Sequence, residues 1–311
     1  DRFEGQYRQG VHRTDTHGLM RRMVKEDLLT FEGKPLFPER KAYTVEYELS
    51  PAERELYELV TDYVRTEMGR AERIAQAGDK KRGNNVGFAL TVLQRRLASS
   101  PEAILRSLER RQQRLDTKLR DMQRITDDAR FSTSIASHVD EWTTGKTTLD
   151  FGSDALPALS VDDFEDFDEE TTDEERAQFE EQADQVVDLA TAAQTIPELR
   201  AEIAILEDLI KVARRVRLQD DDKKWVQLRT ILDEQLLTHD GSGDARKIII
   251  FTEHRDTLDY LQAKITAQFG RADSVITIHG GTRREDRKLA RERFTHNPDT
   301  VVLLATDAAG E

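Results

Sequence analysis

Hydrophobic positions along this chain follow two periods, and the change of period divides it. Over residues 247–311 three short apolar runs, IIIF at 248–251, VITI at 275–278 and VVLLA at 301–305, are rich in β-branched side chains and predict buried parallel strands. Between them RDTLDYLQAKITAQF places Leu258, Leu261 and Ile265 at helical spacing, and RREDRKLARERF does the same with Leu289, Arg293 and Phe294. The outcome is a βαβαβ pattern with right-handed crossovers. Upstream the period is helical. Residues 86–128 predict a long helical stretch broken near Ser99, Ser100 and Pro101, with Ser100 capping its second part and Ile104, Leu108, Leu115, Leu119 and Met122 along one side. A further helix from Pro197 carries Leu199, Ile203, Leu206, Ile210 and Ala213 at alternating spacings of four and three, a heptad seam. Stripes this narrow predict an antiparallel helical arm; the alternative is that both helices pack on the surface of the α/β part.

The remaining segments read less strongly. An amphipathic helix is predicted around residues 19–29, ended by Gly33, Pro35 and Pro38, and followed by an alternating run, Tyr43, Val45, Tyr47 and Leu49, that predicts a strand. Ser50, Pro51 and Glu53 then spell a helix start with a capping box. Residues 220–237 predict a helix with Trp225, Leu228, Ile231, Leu232 and Gln235 on one face, delivering the chain through a Gly and Asp loop to the first strand of the βαβαβ unit.

In open α/β sheets ligands bind at the carboxyl ends of the strands. Those ends carry Thr252 and Glu253, then His279, Gly280 and Gly281, then Thr306, Asp307 and Gly310. A hydroxyl such as that of Thr306 or Thr252 can hold a phosphate oxygen without reading sequence, and Gly310 allows close backbone approach; the alternative is that Thr306 and Asp307 cap the next helix. His279 has no second histidine or carboxylate at ligand spacing, so the glycine pair beside it reads as a tight turn rather than a metal site. Arg283, Arg284, Arg287 and Lys288 follow at a helix start, either as phosphate contacts or as a solvated face.

Composition narrows the classes. The 311 residues contain no cysteine, which excludes disulfides and thiolate chemistry. No apolar run reaches the roughly 18 residues of a membrane span, and a cytoplasmic protein is expected. The net charge of -14 is concentrated: residues 151–244 carry 9 Lys and Arg against 26 Asp and Glu, whereas residues 1–150 carry 27 against 25 and residues 245–311 carry 11 against 10. The flanks can therefore meet a phosphate backbone despite the overall sign. The acidic stretch 161–175, with ten acids and no base, predicts a solvated linker within a disordered segment 150–176; the sharper alternative is a nucleic-acid mimic, with Phe164 and Phe167 among the acids. Gly145-Lys146-Thr147-Thr148 is not a phosphate loop, since Asp140 stands where such a loop needs its first glycine.

The order FTEH, IHGG with RREDR, then ATDAAGE resembles motifs IV, IVa and V of the second RecA-like lobe of superfamily 2 helicases, in the Swi2/Snf2 branch. Arg21, Arg22, Lys25 and Asp27, with the Pro-containing link and the Leu49-Ser50 helix opening, are similar to the passage between the two lobes in that family. The resemblance covers residues near 11–65 and 220–311. It implies a fold of α/β plus mainly α class, a partial RecA-like parallel sheet with a long helical insertion. Residues 1–65 would be the link from a first lobe, 66–219 the insertion and 220–311 the N-terminal half of the second lobe. The function implied is that of a piece of an ATP-dependent translocase on double-stranded DNA, inactive by itself, with ATP and Mg²⁺ bound only in the intact enzyme. Thr252, Glu253, His279, Gly280, Gly281, Thr306, Asp307 and Gly310 would then form a nucleic-acid and nucleotide relay, with Arg21, Arg22, Arg283 and Arg284 as phosphate contacts. The rival reading is a helical protein-interaction module, with the insertion recruiting a protein partner and the α/β part as scaffold.

Overall fold

A computed structural model describes residues 5–8, 11–14, 28–37, 41–135, 156–164, 173–219, 222–236 and 246–306. The chain forms two units, Asp1–Glu46 and Tyr47–Glu311. In the first, β1 (Gly5–Arg8) pairs antiparallel with β2 (Val11–Thr14), a hairpin that the sequence pattern did not reveal. Of the helix expected over 19–29, residues 19–27 lie outside the described residues and the end is not helical. Leu29 instead bridges to Pro35 around a turn in which Gly33 takes a φ of 79°, and the Leu36 N–H donates to the Leu28 carbonyl at 2.8 Å. The alternating run from Tyr43 to Leu49 forms no strand: residues 41–50 join no ladder among the described residues, and alternation without a neighbouring edge cannot make a sheet.

The second unit opens as expected. Ser50 caps α1 (Pro51–Gln76), its hydroxyl accepting from the Glu53 N–H at 3.2 Å while the Glu53 carboxylate accepts from the Ser50 N–H at 2.7 Å. Gly78, at a φ of 112°, turns the chain into α2 (Lys80–Ser99). The two helices approach so closely at Gly83 that a Cβ there would lie 2.7 Å from the Ala75 Cβ and 2.8 Å from the Ala71 carbonyl oxygen. Ser100 caps α3 (Pro101–Ile135), and Thr195 caps α5 (Ile196–Leu218) after α4 (Asp173–Leu189).

The pairing of α3 with α5 is antiparallel. Arg111 meets Glu202, Gln112 meets Glu207 and Glu109 meets Arg214, and the overall run of the two helices is opposed. The pair is thicker than a two-helix arm because the buried stripe of α5 is wider than its heptad seam: Leu209, Val212 and Val216 are also covered. Helices α1, α2 and α4 supply the cover, and Phe88, Leu90, Leu93, Ile104, Leu108, Leu115 and Leu206 form a continuous apolar core. Each such side chain contributes about 1.5–3 kcal/mol on burial. At its centre Arg111 and Glu202, each 1 % exposed, pair at 2.7 Å, with the Tyr63 hydroxyl donating to Glu202 and Thr191 bonded to the same carboxylate. Of the acidic stretch, 161–164 form a 3-10 turn, 173–175 open α4, and 165–172, including Phe167, lie outside the described residues.

The α/β part follows as α6 (Lys223–Leu236), β3 (Ile248–Thr252), α7 (Arg255–Phe269), β4 (Val275–Ile278), α8 (Arg284–His296) and β5 (Val302–Thr306). All three strands are parallel in the order β3-β5-β4, which puts the last strand in the middle. Trp225, Leu232, Leu258, Leu261, Ile265, Val302 and Leu304 make a second apolar core. Two expectations of burial change. On β3 only one face is covered, and Ile249 and Phe251 stand 49 % and 58 % exposed. On α8 no residue is buried and Leu289 is open to solvent, since its charged surroundings leave too little apolar area to seat it.

Candidate nucleic-acid interface

The parallel register decides which residues meet. Thr252, the last residue of β3, pairs with Thr306, the last of β5, and Ile278, which ends β4, pairs with Ala305. The three strand ends that the sequence singled out therefore share one edge of the sheet. Thr306 is 3 % exposed, and its Oγ1 has no hydrogen-bond partner among the described residues. Asp307 and Gly310, which follow it, and Arg21 and Arg22 lie outside the described residues.

After β4 the chain makes a closed turn. The Thr282 N–H donates to the His279 carbonyl at 2.9 Å, the His279 N–H donates to the Thr282 hydroxyl at 3.0 Å, and the Gly281 N–H donates to His279 Nδ1 at 3.1 Å. A Cβ on Gly281 would stand 3.3 Å from the imidazole, so the glycine is there for space. His279 Nδ1 is an acceptor, which requires it to be unprotonated. Burial, followed by the nearby Arg255, holds its pKa below the ordinary histidine value, with Asp259 opposing. Arg287 folds back over the same turn, donating to the Thr282 carbonyl at 2.9 Å and the Gly280 carbonyl at 3.2 Å. This is a role the sequence did not show: Arg287 read there as one more base of an exposed cluster. Arg283 and Arg284, by contrast, are exposed, with no ion pair or side-chain hydrogen bond among the described residues. They stand at the N-terminus of α8, where the helix dipole adds to their attraction for an anion.

The loop after β3 faces the helical bundle. Glu253 pairs with Arg95 of α2 at 2.9 Å. His254 is mostly covered, and burial followed by Arg96 and Arg95 lowers its pKa to about 3. Asp256 takes a forked pair of hydrogen bonds from Arg110 of α3 at 3.1 Å, and the Thr257 hydroxyl lies 2.7 Å from that of Ser99 and 2.8 Å from that of Ser100. Lys224, at the start of α6, donates to the Ala98 carbonyl at 3.1 Å. The two apolar cores are thus joined by a seam of polar contacts. Beside it a cleft of about 430 Å³ is lined by Arg95, Ser99, Trp225, Phe251, Thr252 and Tyr260.

Residues 227–311 match the helicase conserved C-terminal domain. No curated protein and no solved structure matches the chain. The matched segment contains all three strands of the sheet, both crossover helices and the whole shared edge. It supports a superfamily 2 helicase-type domain, a part of ATP-dependent nucleic-acid enzymes.

Glu253 is turned to Arg95, and no group of three or more His, Asp or Glu side chains is placed among the described residues to hold a metal ion. ATP and Mg²⁺ belong to the intact enzymes of this kind. What the edge presents to solvent is the partly open Thr252 and the two exposed arginines, while the amides of His279, Gly281 and Thr282 are spent within the turn.

Proposed function

We propose that this chain forms one wall of an ATP-dependent motor of Swi2/Snf2 type that moves along double-stranded DNA. The shared edge of the helicase-type domain carries the reading: Thr252, His279 to Gly281 and Thr306 are brought to adjacent strand ends by the register, with Arg283 and Arg284 beside them. Hydroxyls and exposed arginines of this kind grip a phosphate chain without reading bases, which suits movement along any sequence. Asp307 and Gly310 continue the same edge in sequence, and Arg21 and Arg22 add phosphate contacts from the link. Residues 1–65 act as that link, 66–219 as an insertion and 220–311 as lobe, in a cytoplasmic enzyme. By itself the chain is expected to turn over no ATP, because its sequence holds no GxxxxGK[ST] loop.

The rival reading as a protein-interaction module loses its main support, since the heptad seam of α5 is consumed within the bundle. A competition experiment tests the proposal. A labelled DNA duplex bound by the purified chain should be displaced by unlabelled duplex DNA of unrelated sequence, and poorly by single strands. Equal displacement by both, or absence of duplex binding at low salt, contradicts it.

A further inference from the structure

The loop between β3 and α7 joins one strand end of the proposed DNA-facing edge to the first turn of a helix, and every side chain from Glu253 to Thr257 except Arg255 is engaged with or covered by the bundle seam. Its strongest tie is Arg110. Both guanidinium Nη atoms donate to Asp256 Oδ2, at 3.1 Å each, Nη1 also reaches Asp256 Oδ1 at 3.4 Å, and Nη2 reaches the Ser107 hydroxyl at 3.3 Å. The third nitrogen is not bonded. Arg110 Nε lies 3.8 Å from Asp188 Oδ1 of α4, and each of these buried atoms lacks a hydrogen-bond partner among the described residues. Arg110 thus stands between two carboxylates, hydrogen-bonded to the one on the helicase-type domain and within ion-pair range, but beyond hydrogen-bond distance, of the one in the bundle. Two guanidinium N–H groups closing on one carboxylate fix direction as well as distance. The hydroxyls of Ser99 and Ser100 on Thr257 complete the hold one residue further on.

We propose that the helical bundle positions the loop after β3, with Arg110 as the positioning residue acting through Asp256, so that Thr252 is presented to the nucleic acid in a geometry the bundle sets. The consequence for nucleic-acid binding rests on the function proposed above; the positioning does not. Asp188 competes for the same guanidinium, so a bundle that draws Arg110 toward α4 releases the loop.

Hydrogen exchange on the full chain, followed over residues 252–258, tests the positioning, and binding of a labelled DNA duplex is measured in parallel. Arg110→Ala should speed exchange in the loop by about tenfold while the centre of α1 stays protected. Arg110→Lys should recover only part of the protection, because an ammonium cannot fork to a carboxylate. Asp188→Asn should leave the loop as protected as in the parent or more so. The sequence contains no cysteine, so Ser99→Cys with Thr257→Cys adds a unique thiol pair. Its oxidation in the Arg110→Ala background should restore both loop protection and duplex affinity, and reduction should abolish the rescue. Thr257→Val provides a second lesion should Arg110→Ala not fold, and it should also speed loop exchange. Unchanged loop exchange in these variants overturns the proposal, as does an Asp188→Asn variant as loosened as Arg110→Ala, or a disulfide that forms without restoring protection. If exchange behaves as stated and the parent chain binds no duplex, the positioning stands and the DNA reading fails.

Discussion

Arg111 shows what a charge can do when water is absent. Its guanidinium, 1 % exposed, is answered by Glu202, by the Tyr63 hydroxyl and by the Val187 carbonyl at 2.6 Å, so each of its nitrogens has a partner, and each partner comes from a different helix. Removing one side of such a pair leaves the other charged and dry. Arg111→Met is expected to cost about 3–5 kcal/mol in urea unfolding, whereas Arg111→Met with Glu202→Leu should cost clearly less. His254 gives a second test at this scale. Its pKa in the folded chain is about 3, pushed down by burial and by Arg96 and Arg95, against about 6.5 in the unfolded chain. Between those values the unfolded chain binds the proton that the folded chain refuses, so stability falls as the pH is lowered, and above the upper value this contribution is constant. The urea midpoint should therefore fall on acidification from about pH 7 to about pH 4, and His254→Gln should flatten that slope by up to about 1.4 kcal/mol per pH unit. Neither residue was legible as special in the sequence. Arg111 lies in a run of charged and polar positions on a helix whose apolar side was assigned to Ile104, Leu108 and Leu115, and its partner is 91 positions away.

At the scale of elements, local signals were legible in the sequence and partners were not. The capping box at Ser50, the break at Ser99 to Pro101 and the three strands depend on neighbours in sequence, and each is found where the pattern put it, within a residue. The alternating run from Tyr43 to Leu49 had the right period for a strand but no edge to join, and period alone cannot supply one. The close approach of α1 and α2 also depends on a partner. Gly83 has Ala71 and Ala75 pressed against it, whereas Gly69 on α1 has nothing within 4 Å of where a Cβ would lie. Alanine favours a helix over glycine by up to about 1 kcal/mol at either position. Gly69→Ala should thus raise the urea midpoint, while Gly83→Ala should lower stability by about 1–3 kcal/mol as the helices are forced apart.

For the whole of the second unit the governing feature is two apolar cores with a polar seam between them. A seam of ion pairs and hydroxyls holds one geometry only while its directional contacts are made, and leaves the two parts free to shift when they are broken. The seam was invisible to sequence reasoning because Arg110 and Asp256 are 146 positions apart, and each alone looks like an exposed charge on a helix. The shared edge was legible for the opposite reason: strand ends in a parallel sheet converge whatever the order of the strands, so Thr252, His279 and Thr306 group together without knowledge of their register. The most direct test of the claim that this edge meets DNA is the salt dependence of binding to a labelled duplex, compared between the parent chain and Arg283→Ala with Arg284→Ala. Removing one arginine from a phosphate should reduce the slope of log affinity against log salt by about 1. Weaker binding and a slope shallower by about 2 are expected for the double variant. An unchanged slope, or a parent chain that binds no duplex at low salt, would contradict it.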